Sequence, residues 1–86
     1  MAELRMRVRY FAAARAAAGT TGEELTVPAG ATVADVLTTI SARHGEELSR
    51  VLKACSFLLD GMAVRDREAV LTDSAELDVL PPFAGG

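Results

Sequence analysis

The residues with the clearest chemical potential fall in one short stretch, LPPFAGG, from Leu80 to Gly86. Pro81 and Pro82 fix φ and have no backbone N–H, so they end a strand and favour an extended path away from the body. The residues beyond Pro82 can reach on the order of 13 Å at full extension. Phe83 can pack back on the domain or fill a partner's pocket. After Ala84, Gly85 and Gly86 carry no side chain, so a narrow tunnel can admit the backbone as far as a terminal carboxylate. Such a group has a pKa of about 3.5 and is ionised near neutrality. A carboxylate is a poor electrophile but a competent nucleophile toward an activated phosphate. To react at its carbonyl it must first be converted, for example to an acyl-adenylate. The sequence offers nothing to bind ATP, so a second protein must supply that step. Gly86 is therefore expected to be a chemical handle, with Pro81, Pro82, Phe83, Ala84 and Gly85 as the segment that inserts.

Other chemistry is poorly represented. The stretch GTTG, Gly19 to Gly22, lacks the lysine and the strand-to-helix setting of a phosphate loop. Cys55 is the only cysteine and His44 the only histidine, which excludes an internal disulfide and a metal cluster, so no metal ligands are expected. No nucleophile–base pair can be named, and no catalytic residue is assigned. His44 falls in the last turn of a helix before Gly45, where a donor helps satisfy the final carbonyls. Cys55 falls on an apolar helical stripe, which points to core packing. A net charge of −3 gives no electrostatic reason to bind nucleic acid. The apolar stretches are far shorter than the ~20 residues that span a bilayer. The opening MAELRMRVRY has no apolar signal core, so the expected location is cytoplasmic, with no membrane partner.

The elements that must position the ending follow from periodicity. Leu4, Met6, Val8 and Tyr10 alternate with Arg5, Arg7, Arg9 and Phe11, the pattern of a half-buried strand. The alanine-rich run from Ala12 closes at Gly19 and predicts a turn or two of helix. Glu23 to Pro28 predicts a second strand, with Leu25 and Val27 inward. Thr32 and Asp35 make a capping box before Val33, Val36, Leu37 and Ile40, a single apolar stripe ended by Gly45. Leu48, Val51, Leu52 and Cys55 repeat the spacing in a shorter helix. Ser56 to Asp60 is a third strand, and Asp60–Gly61 signals a hairpin into a short return at Ala63 and Val64. Glu76 to Leu80 closes as the last strand, with Leu77 and Val79 inward and Asp78 and Leu80 outward. The eighty-six residues thus form one α+β domain, a β-grasp with a mixed sheet of about five strands packed on one main helix. Its body spans 1–80, and 81–86 is an extended Gly-Gly tail.

Arg5, Arg7 and Arg9 form a one-sided stripe, read as a solvated face in cross-strand pairs with Asp78 and Asp60, with a partner-binding patch as the alternative. Phe11, Val64 and Leu80 are apolar positions near one end of the same sheet. Either they form an interface, or a local twist or bulge turns them inward.

A β-grasp ending in Gly-Gly resembles the ubiquitin-like sulfur carriers. VRYFAAARAAAG followed downstream by LTDSAELDVLPPFAGG resembles the MoaD/ThiS family, and within it the carriers that serve molybdopterin synthase. Phe11, Ala12, Arg15 and Gly19 match the family's first loop, and Leu71, Thr72, Asp73, Pro81, Pro82, Gly85 and Gly86 match its closing segment. The Pro-Pro-x-x-Gly-Gly ending is the specific part. Two positions depart: Ala16 replaces the usual acidic residue, and Ser74–Ala75 replace a glycine and an aspartate. The second departure predicts a turn without positive φ.

The resemblance implies that an E1-like adenylyltransferase uses MgATP to adenylate Gly86, and that sulfur transfer then gives a C-terminal thiocarboxylate. No cofactor is implied for this chain itself. The tail would next enter the large subunit of molybdopterin synthase, in a heterotetramer of two small and two large subunits, where sulfur passes to a pyranopterin precursor. Phe11, Val64 and Leu80 match the family's docking face. The alternatives are a sulfur carrier for thiamine or cysteine synthesis, a protein modifier conjugated through Gly86, and a plain β-grasp binding module. Lys53 is the only lysine, so chain-building on the protein itself would be restricted.

Overall fold

The computed structural model describes residues 2–82. Its elements are β1 (Glu3–Tyr10), α1 (Ala12–Ala18), β2 (Gly22–Pro28), α2 (Val33–His44), α3 (Glu46–Leu52), β3 (Ser56–Leu59), β4 (Met62–Ala63) and β5 (Ala75–Leu80). The five strands form one sheet in the order β2-β1-β5-β3-β4. β1 and β5 run parallel at its centre, and the other neighbours are antiparallel. This is the expected mixed β-grasp sheet.

The alternation in β1 is obeyed. Met6, Val8 and Tyr10 are buried while Arg5, Arg7 and Arg9 are exposed. The register sets Val8 beside Leu77 and Tyr10 beside Val79, and Val79 opposite Phe57, so one face of three strands is continuously apolar. Val33, Val36, Leu37 and Ile40 of α2 are buried in the same core, joined by Leu48 and Leu52 of α3. Burial of apolar surface is what holds helix and sheet together, at about 25 cal/mol for each square ångström.

The start of α2 is closely specified. Thr32 Oγ1 accepts from the Asp35 N–H at 3.2 Å, and Asp35 Oδ2 accepts from the Thr32 N–H at 2.9 Å. The loop before β5 completes the cap. Ala69 and Arg67 carbonyls accept from the N–H groups of Val33 and Ala34, so no donor of that first turn is orphaned. The hairpin at Asp60–Gly61 has φ of 49° and 84°, the paired positive values of a type I′ turn.

Three expectations need correction. Ser74 has φ of +65°, so the Ser–Ala pair does not abolish the left-handed turn. Two ties to β1 hold it there: the Ser74 N–H donates to the Arg5 carbonyl at 2.7 Å, and the Arg5 N–H donates to Asp73 Oδ1 at 3.0 Å. Cys55 is buried, but it lies beyond the end of α3, with its thiol donating to the Val51 carbonyl. Asp60 does not pair with the arginine stripe. Its carboxylate accepts from the Glu76 N–H at 2.9 Å and thereby fixes the hairpin to β5.

Candidate functional site

β5 is an inner strand and delivers the chain to the end of the sheet where β1 also finishes. The Phe11 N–H donates to the Val79 carbonyl at 3.2 Å, and Leu80 stands opposite Ser56 as the last ladder position. Pro81 and Pro82 follow outside any strand, the first half-buried and the second exposed. Having no N–H to offer, neither proline can extend the ladder. The remaining site residues, Phe83, Ala84, Gly85 and Gly86, lie outside the described residues.

The three docking candidates do not form one uniform patch. Phe11 caps α1 with extended backbone and is half-buried; the Arg9 guanidinium sits 5.5 Å from its ring centroid. Leu80 is half-buried at the end of β5. Val64 is also half-buried, but it packs against the hydrophobic core, and its N–H donates to the carbonyl of the buried Phe57. Arg9 keeps company with Phe11 on the outer face, whereas Val64 is tied to residues of the inner one.

Between these positions lies a well-defined ion pair. A single register row crosses the sheet through Gly22, Arg9, Asp78, Leu58 and Ala63. Within it, Arg9 Nε donates to Asp78 Oδ1 at 2.8 Å and Nη2 to Oδ2 at 2.9 Å, a bidentate fork. Glu76 lies 3.4 Å from the same Nε. The Asp78 side chain is 10% exposed and that of Arg9 45%, so the carboxylate is sealed beneath a guanidinium that water can still reach. The hydrogen bond to Asp78 raises the Arg9 pKa above its already high ordinary value, against a smaller opposing effect of burial. The outward pair expected between Arg9 and Asp78 is present. Arg7 pairs instead with Glu24 at 3.4 Å in the open.

Sequence reasoning missed a second cluster on the core side of β1. Glu23 accepts from the Tyr10 hydroxyl at 2.6 Å, from Arg43 Nη1 at 2.6 Å and from His44 Nε2 at 2.5 Å. The Tyr10 and His44 rings meet edge to face at 5.7 Å. His44 therefore does not serve mainly as a cap for its own helix; it ties the end of α2 to β2. Burial alone would raise the Glu23 carboxyl, but the hydrogen bonds from Tyr10, His44 and Arg43 outweigh it and hold it below the ordinary value of 4.5. Burial, then the bond to Glu23, push the Tyr10 phenol far above its usual range, so it remains a protonated donor. The available signal was parity: Glu23 shares the inward phase of Leu25 and Val27, and a carboxylate on a core face needs donors.

Neither cluster presents a nucleophile beside a base. Burial raises the Cys55 thiol, which suppresses its thiolate. Among the described residues, no three potential ligands gather to hold a metal, and no helix is long and apolar enough to cross a membrane. Lys53 is exposed at the end of α3. Among the described residues, Phe11 and Leu80 lie half-buried near the point where the chain leaves β5.

The chain is 38% identical over 85 residues to the molybdopterin synthase sulfur carrier subunit of Chlamydomonas reinhardtii, covering 96% of this chain and all of the relative. A Pyrococcus furiosus protein assigned as molybdopterin converting factor subunit 1 superposes with a TM-score of 0.83 at 28% identity, covering 93% of this chain and 99% of its own. The small archaeal modifier protein 1 of Methanosarcina acetivorans gives a TM-score of 0.83 at 27% identity over the whole of both chains. The ThiS family model matches residues 8–86, from the middle of β1 through both glycines, and with that match the chain belongs to the ThiS family.

Proposed function

We propose that this chain is the sulfur carrier subunit of a molybdopterin synthase, with the Gly86 carboxylate as the working group. One observation carries the reading: the end-to-end identity of 38% to a molybdopterin synthase sulfur carrier subunit, without a gap in coverage of that relative. The exit of β5 through Pro81 and Pro82 supports it, because a carrier needs its last residues led off the sheet.

The chemistry balances without a catalytic group on this chain. A Gly86 carboxylate oxygen attacks the α-phosphorus of MgATP on an E1-like adenylyltransferase, and pyrophosphate leaves. The outer sulfur of a donor persulfide attacks the activated carbonyl and displaces AMP, and a thiol then cleaves the resulting acyl disulfide, releasing the thiocarboxylate and leaving a disulfide. The tail then enters the large synthase subunit, which catalyses attack of that sulfur on a pyranopterin precursor, and water hydrolyses the resulting thioester to leave the sulfur on the pterin and restore the carboxylate. Phe11 and Leu80 would meet the large subunit on the outer face, and Val64 would stiffen the adjoining edge from beneath. The assembly would pair two small with two large subunits, in the cytoplasm.

Reconstitution tests the pathway. Thiocarboxylated protein mixed with a large synthase subunit and the pyranopterin precursor should yield the dithiolene product in proportion to the carrier added. No product, where an authentic carrier gives it, would remove the assignment. A second reading has one observation in its favour, the full-length structural likeness to an archaeal modifier protein. In that case the activated Gly86 carbonyl would be captured by a lysine of another protein. Isopeptide-linked products in a mixture of activating enzyme, ATP and cell extract, lost on deleting Gly86, would favour it.

A further inference from the structure

The outer face of the sheet is expected to be apolar where a partner docks, yet its central row holds the Arg9–Asp78 fork. A solvated surface pair contributes little, but this one is unusual in three respects. Asp78 is nearly sealed, so the carboxylate is committed to Arg9. Phe11 lies against the guanidinium, which restricts its remaining freedom. The fork uses Nε and Nη2, and the two N–H donors of Nη1 have no partner among the described residues.

The charge of Arg9 is already met by Asp78, and Glu76 stands 3.4 Å away. Asp78 and Glu76 both set carboxylates beside this guanidinium, so a carboxylate approaching it would meet repulsion from each. A neutral acceptor suffers no such repulsion and gains a charge-assisted hydrogen bond. We propose that Arg9 is a specificity-determining residue of the docking face, held by Asp78 as a positioning residue, and that it donates to a backbone carbonyl or side-chain amide oxygen set within an apolar patch of the partner. This rests on the carrier reading, and the partner is the large synthase subunit. Phe11 and Leu80 supply the apolar surround, and Arg9 fixes register. A partner surface that is apolar throughout would leave the Nη1 donors unmet on docking, so the pair also discriminates against wrong partners.

Titration calorimetry with purified large subunit tests this. The double variant Arg9→Leu/Asp78→Leu removes both charges together, so no buried carboxylate is left unpaired and the fold should survive, as a thermal melt would show. Its affinity should fall about tenfold or more, the loss expected for a hydrogen bond to a charged group. Arg9→Lys keeps the charge but not the planar fork and should lose affinity as well. The unaltered protein should bind with little dependence on salt, since no new ion pair forms. Affinity within twofold of the unaltered protein for either variant, or a steep loss of unaltered affinity with salt, would overturn the proposal. Binding by the unaltered protein keeps the carrier reading whatever the variants do. If the unaltered protein fails to bind, that reading falls and this proposal with it.

Discussion

Arg9 and Tyr10 are neighbours in the chain and face opposite sides of the same sheet, and each engages a carboxylate. Tyr10 shares Glu23 with Arg43 and His44, which gathers β1, β2 and the end of α2 into one knot with a 14% exposed carboxylate. Arg9 holds Asp78 in a two-strand fork whose upper surface is open to a partner. The two sheltered donors of the inner cluster, the Tyr10 hydroxyl and His44 Nε2, are both engaged by Glu23. In the outer one, both N–H donors of Arg9 Nη1 and the second of Nη2 have no partner among the described residues. One pleated strand thus separates a group that fastens the body from a group that presents it, because successive side chains must leave on opposite faces.

The largest effect should come from emptying the inner cluster. Glu23→Ala strands the sheltered Tyr10 hydroxyl and His44 Nε2 around a vacancy, while the exposed Arg43 turns to water, and should cost about 3 kcal/mol, read as a lower denaturant midpoint. Binding of the large subunit by the folded fraction should be unaffected. Equal losses in folding and binding would erase the distinction between the two sides.

Next in size, Gly22 stands opposite Arg9 and one residue before Glu23. A Cβ there would lie 2.8 Å from the Val8 carbonyl oxygen, a contact with backbone that cannot swing away. Gly22→Ala should push β2 from β1 and lose about 1–3 kcal/mol, disturbing both clusters together.

A pH series sharpens the comparison further. Glu23 has a folded pKa below its ordinary 4.5, so its stabilisation is present above that value and is lost as pH falls through the folded pKa. Denaturant midpoints should therefore drop in acid, and Glu23→Gln should flatten that part of the drop. An unchanged acid slope in Glu23→Gln would remove the ionised carboxylate from the account.

The smallest effect is expected at Ser74. Its φ of +65° strains an L-residue, but its own N–H on the Arg5 carbonyl and the Asp73 carboxylate on the Arg5 N–H already hold the turn. Ser74→Gly relieves the strain while loosening the unfolded chain, so the midpoint should move by no more than about 1 kcal/mol.

What the sequence made legible were features local in the chain. The alternation in β1, the capping box at Thr32 and Asp35, and the Asp60–Gly61 hairpin each depend on residues within a few positions of one another. The Glu23 cluster brings together residues from three elements, and only the folded register decides that His44 meets a strand residue. Val64 stayed between an outward and an inward reading because it follows a strand of two residues, Met62–Ala63, too short to carry alternation past its end. Ser74 was misjudged because residue type alone weighed on its φ, while the deciding bonds come from Arg5, far back in the sequence.

The central claim is that the body delivers Gly86 for loading with sulfur. Intact mass measures this directly, after the protein is incubated with an E1-like activating enzyme, MgATP, a persulfide donor and a thiol reductant. The account predicts replacement of one oxygen by sulfur at the C-terminus, absent when Gly86 is deleted even though the melting temperature is kept. An unchanged mass, under conditions that load an authentic carrier, would contradict it.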